Sequence, residues 1–180
     1  NRVILPEMAQ VLGFGTLGPR AELLENPSCP DTDGDGVGDC SASDPPGPDT
    51  RFVGVEGSRA YRALGGPLNA HVPVENGDDR AAGPGSRDGH WRESVFGLEL
   101  MTGFIQSNAV NPLSLLTAAA LVDMGYEVDF AQVDDYVIAG ALPFAETEGA
   151  PGVDLGDDVR TGPIFAIAPD GTITRVGQSR

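Results

Sequence analysis

A chain of 180 residues is long enough to bury one modest core, or one core with an appendage. Its formal net charge is −16 and all 11 basic residues are arginines, a surface that repels nucleic acid and anionic membranes and attracts cations or basic partners. No apolar run approaches the ~18 residues that cross a bilayer, so no membrane span is expected within the chain. The sequence starts at Asn1 in what reads as the middle of an element, without a visible secretory leader, and a piece of a longer protein is expected.

In chain order, Val3 to Leu12 reads as a short helix, followed by the turn-rich GFGTLGPR. Residues 26–50 are dense in Pro, Gly and Asp and form no regular element. Between Arg51 and Leu68 a helical segment is expected around GSRAYRALGG, ended by Gly65 and Gly66. The stretch HVPVENGDDRAAGPGSRDGHW, with Pro and Gly throughout, reads as extended and loop-like. The clearest helix is NPLSLLTAAALVDMGY, with Asn111 as N-cap, Pro112 in the first helical position and Gly125 as the stop. Leu113, Leu116, Thr117, Ala120, Leu121 and Met124 share one face of it and should enter the core. Beyond about Pro143 the composition shifts to an acidic linker and then to PIFAIAPDGTITRV, a β-hairpin turning at Asp170-Gly171. The expected organisation is therefore one segment over 1–143 and a linker with hairpin over 144–180, which either opens another domain or decorates the first.

Two motifs carry chemistry. In CPDTDGDGVGDC, Asp31, Asp33, Asp35 and Asp39 alternate around Gly36, the pattern by which carboxylates converge on one calcium ion. Ala42 stands where an EF-hand loop would place its closing Glu, and the segment is more similar to thrombospondin type 3 repeats. Cys29 and Cys40 bracket this loop. A loop-closing disulfide fits an oxidising, extracellular or cell-surface setting, with two free thiols as the alternative.

The second motif is VILPEMAQVLGFGT. A zinc-peptidase helix sets two histidines four residues apart on one face, with a Glu after the first as general base. Here Glu7 and Gly13 fall in register, while Pro6 and Gln10 stand at the two ligand positions. Proline has no donor atom, and a Gln amide is a poor zinc ligand beside imidazole. Each His loss takes one base change. Farther on come VPVEN, RDGHWRESVFGLELMTG and NPLSLLTAAALVDMGYEVD.

With those segments in place, the chain from Val3 to about Tyr136, apart from the acidic insertion at about 26–50, resembles the C-terminal part of the leishmanolysin-like metallopeptidases, a metzincin family. The resemblance implies a secreted zinc metalloendopeptidase acting on proteins or peptides. It makes His90 the third zinc ligand, Glu7 the general base and Met101 the Met-turn residue beneath the metal, and it puts the NPLSLL helix under the site. With Pro6 and Gln10 at the other ligand positions, a pseudo-enzyme is expected, and zinc binding is in doubt. His71 is weighed as a replacement ligand but has no fixed spacing to His90. Asp88 and Glu93 flank His90; either could orient it, but surface exposure is expected for both, as for Glu22 and Glu25, and Trp91 is expected as a core anchor. The fold class expected is α+β, a loop-rich metzincin-like fragment with linker and hairpin. The alternative function is a calcium-stabilised extracellular binding or adhesion module on the same scaffold.

Overall fold

Three helices of this chain stop in the same way, at a glycine in the left-handed region. The first helix, α1 (Ile4–Val11), ends where Gly13 takes φ 95°, Gly13 N donates to Gln10 O at 2.8 Å and Phe14 N to Ala9 O at 3.0 Å. This pair of bonds is the Schellman closure, and its left-handed residue is cheap only for glycine. Phe14 is thereby thrown inward, where it is buried. Helix α2 (Val55–Ala63) closes at Gly65 and α4 (Leu115–Asp123) at Gly125 by the same two bonds. The glycine stops read in the sequence thus hold.

The structure, a computed structural model, describes residues 4–15, 22–29, 47–77, 86–105, 109–138, 153–154, 162–167 and 171–179. These residues are mixed helix and antiparallel sheet, an α+β arrangement. Strands β1 (Leu24–Glu25), β2 (Arg51–Phe52) and β3 (Val72–Pro73) form one antiparallel sheet in that order. The sheet is prolonged by single bridges, Val74 to Trp91 antiparallel and Trp91 to Thr102 parallel. A short helix α3 (Glu93–Phe96) follows Trp91, and α4 packs across α2.

The structure departs from sequence expectation in three places. Arg51 is in a strand rather than at the head of a helix, and α2 starts only at Val55. Helix α4 begins at Ser114, whose side chain accepts from Thr117 N, so neither Asn111 nor Pro112 caps it; Asn111 instead donates to Leu98 O at 3.4 Å. The segment read as an acidic linker contributes β5 (Val153–Asp154), which pairs with β4 (Phe104–Ile105). The hairpin forms as β6 (Gly162–Ile167) and β7 (Ile173–Ser179), with a bulge at Ile164/Phe165.

The core centres on Trp91. Its ring meets Phe14 edge-on at 5.1 Å and Phe52 at 5.5 Å, with Phe96 tilted against it at 6.1 Å. Edge-to-face contact of this kind adds about 0.5–1.5 kcal/mol per pair beyond burial. Leu116, Thr117 and Ala120 of the α4 face are buried, and Leu113, Leu121 and Met124 pack half-buried against the cluster. No helix among the described residues is long and apolar enough to cross a membrane.

Candidate functional site around His90

Everything that meets at His90 arrives from a different stretch of sequence. The strand residue Trp91 donates its backbone N–H to Met101 O at 2.9 Å, and His90 O accepts from Glu75 N at 2.9 Å. His90 is therefore clamped between the chain at Glu75 and the turn at Met101, with only 2 % of its surface exposed. Met101 itself is fully buried. Helix α1 comes in from the side: Gln10 Nε2 lies 3.0 Å from His90 Nε2, across 80 positions of sequence. His90 Nδ1 is 3.3 Å from Ser86 O, which fits an Nδ1–H donor. The other nitrogen, Nε2, then accepts the Gln10 amide proton.

Pro6 and Gln10 lie one helical turn apart, and Pro6 is fully buried in the first turn of α1, where a missing N–H costs nothing. Glu7 sits between them and is half-buried. A cavity of about 20 Å³ lies behind the ring, lined by Phe14, Val74, Asp88, His90 and Trp91 among others, with room for about one water. Among the described residues, the His90 ring itself is covered by its neighbours.

The platform under His90 is a hydrogen-bond relay. Trp91 Nε1 donates to Thr117 Oγ1 at 2.9 Å, and that hydroxyl donates to Glu99 Oε1 at 2.6 Å. Glu99 Oε1 also accepts from Ser114 Oγ at 2.6 Å, and Oε2 from Met101 N at 2.5 Å. One buried carboxyl thus joins the His90 strand, the Met101 turn and the start of α4. Burial pushes the Glu99 carboxyl above its ordinary range, against the opposing pull of hydrogen bonds from Ser114, Thr117 and Met101. On the far side, Arg92 donates to Val74 O at 2.8 Å and to Asp49 Oδ1 at 2.6 Å. Burial alone would raise the Asp49 carboxyl, but hydrogen bonds from Arg51 and Arg92 outweigh it and hold the group below its usual range.

The expected exposure is corrected for both residues that flank His90: Glu93 is half-buried, and Asp88 lies deeper. Asp88 is not at the surface: it is 7 % exposed, and its carboxylate binds the Ser28–Cys29 backbone. His71 stands at the start of β3, exposed, with its ring 3.4 Å from Ser58 Oγ, and it does not join His90. Trp91 is the core anchor expected, and Glu22 and Glu25 are exposed.

Cys29 is disulfide-bonded. Cys40 and the carboxylates Asp31, Asp33, Asp35 and Asp39 lie outside the described residues. Among the described residues, no three His, Cys, Asp or Glu side chains converge to hold a metal. The positions that the resemblance assigns to zinc do not fit it: His90 meets a Gln amide, and Pro6 offers no donor. Sequence reading singled out Asp88 beside His90 but missed Ser86 and the Glu99–Thr117 relay. The one available signal was Thr117, a hydroxyl on an otherwise apolar helix face. No protein-family model, curated protein or solved structure matches this chain.

Proposed function

We propose that the chain is a segment of a secreted, leishmanolysin-like metalloendopeptidase whose zinc site has been lost, leaving a pseudo-enzyme. The contact of Gln10 with His90 carries this reading. It was expected only from the resemblance, which makes these two residues ligands of one metal although 80 positions separate them. The docking of the Met101 turn against the His90 strand and the exit of α1 through Gly13 support it further. The pair is a hydrogen bond in place of a coordination bond, so protein and peptide substrates are bound without being cut.

Restoring the ligands tests the reading. The double variant Pro6→His, Gln10→His should bind zinc near one equivalent by metal analysis after dialysis, while the unaltered chain retains far less. A folded double variant that holds no zinc overturns it.

A second reading has its own observation. The burial of His90 and Pro6, with Gln10 on the ring, favours a scaffold kept for binding, a calcium-stabilised extracellular binding or adhesion module. Failure of the restored chain to take zinc leaves this reading standing.

A further inference from the structure

The turn that presents His90 is fastened to the root of the acidic loop. Asp88 has φ 58°, in the left-handed region, where a non-glycine residue costs on the order of 1 kcal/mol. Its carboxylate holds it there. Oδ1 accepts from Ser28 N at 3.0 Å and Ser28 Oγ at 2.6 Å, and Oδ2 accepts from Cys29 N at 2.7 Å. Asp88 N donates to Glu75 O at 2.8 Å, and Gly89 N donates to Ser86 O at 3.3 Å. With residue 88 turned this way, the Ser86 carbonyl comes back over the His90 ring, 3.3 Å from Nδ1.

The far end of the same loop is seated on the same spot. Gly47 lies so close to Ser28 that a Cβ there would stand 2.0 Å from Ser28 Cβ, and Gly47 N donates to Asn76 O at 2.8 Å. The residue that supplies one of the three donors to Asp88, Cys29, is the one that carries the disulfide.

We propose that Asp88 is a positioning residue through which the disulfide at Cys29 fixes the tautomer and orientation of His90. While the disulfide stands, Ser28 and Cys29 are held in place and Asp88 stays left-handed. Ser86 O then accepts a hydrogen bond from Nδ1–H, and Nε2 faces Gln10. Dithiothreitol supplies two electrons and two protons: the disulfide becomes two thiols and the reagent closes to its cyclic disulfide. The root then loosens, Asp88 relaxes to a right-handed backbone, and the Ser86 carbonyl leaves the ring. The inference stands apart from the peptidase reading, because it concerns the ring whether or not a metal meets it.

The test is ¹⁵N NMR of the two imidazoles in the full 180-residue chain, recorded at about pH 8. A fixed tautomer gives widely separated ring nitrogens, and an exchanging one gives converging shifts. In the oxidised protein His90 should show the fixed pattern with Nδ1 protonated, and dithiothreitol should collapse it while the exposed His71 stays unchanged. Asp88→Gly separates the latch from the turn, since glycine adopts this φ without strain: its His90 should keep the fixed pattern before and after reduction. Asp88→Ala, which has neither carboxylate nor glycine freedom, should show the collapsed pattern even when oxidised. The proposal is overturned if reduction leaves wild-type His90 unchanged, or if it shifts His90 as much in Asp88→Gly as in wild type. Loss of amide dispersion together with the His90 change would also overturn it, since that is global unfolding.

Discussion

Glu99 has no exposed surface, yet four donors converge on its carboxyl. Burial opposes its ionisation more than those donors favour it, so its folded pKa lies above the unfolded value of about 4.3. A group raised in this way contributes stability that is fully present below the unfolded pKa and is lost as pH rises through the folded one. Glu99→Gln copies the protonated shape and cannot ionise. Urea unfolding at several pH values should therefore show the Gln variant gaining on wild type as pH rises from about 4 toward 8. Parallel stability curves for the two proteins would mean that Glu99 keeps an ordinary pKa. The sequence offered little warning of this group: ELM marks a turn by resemblance, and nothing local says that its Glu points inward to a Thr and a Ser on a later helix.

The helices are short and depend on one another for their ends. Helix α2 starts at Gly54, which has no side chain to cap it, and the donors Glu56 N and Gly57 N go to the Asp123 carboxylate at 3.0 and 2.8 Å. Asp123 is the last residue of α4, so the end of one helix caps the beginning of another. A carboxylate there also meets the positive end of the α2 dipole. Asp123→Ala should cost about 1–2 kcal/mol of unfolding free energy, read by thermal or chemical melts, and Asp123→Asn less. A loss within error for both would remove the cap from the account. This division explains what could be read beforehand. Helix stops are local glycine chemistry and were legible at Gly65 and Gly125. Helix starts here are long-range: Ser114 displaces Asn111 because its hydroxyl both caps Thr117 and reaches Glu99. The two-residue strands were illegible, being too short to show any alternation.

For the whole molecule, a net charge of −16 on 180 residues means strong self-repulsion, and four aspartates fall close together in the sequence CPDTDGDGVGDC. Cation binding by that loop would relieve it. Calorimetric titration with calcium should show binding in the 10⁻⁴–10⁻³ M range usual for extracellular modules, with a matching rise in melting temperature. A flat titration through several millimolar would rule the calcium loop out. At this scale the α+β class was legible from the expected helices and hairpin together with the resemblance. The meeting of Gln10 with His90 was not, except through resemblance, since no periodicity spans 80 residues.

Trp91 is the only tryptophan in the chain, and its indole touches the end of α1, strand β2, helix α3 and Thr117 of α4 at once. The molecule therefore carries a single built-in optical reporter, one residue from His90, that sees the junction and nothing else. Emission and far-ultraviolet dichroism followed together are two separate clocks, one on the junction and one on the backbone at large. A lag between them would time the opening of the site against the melting of the rest.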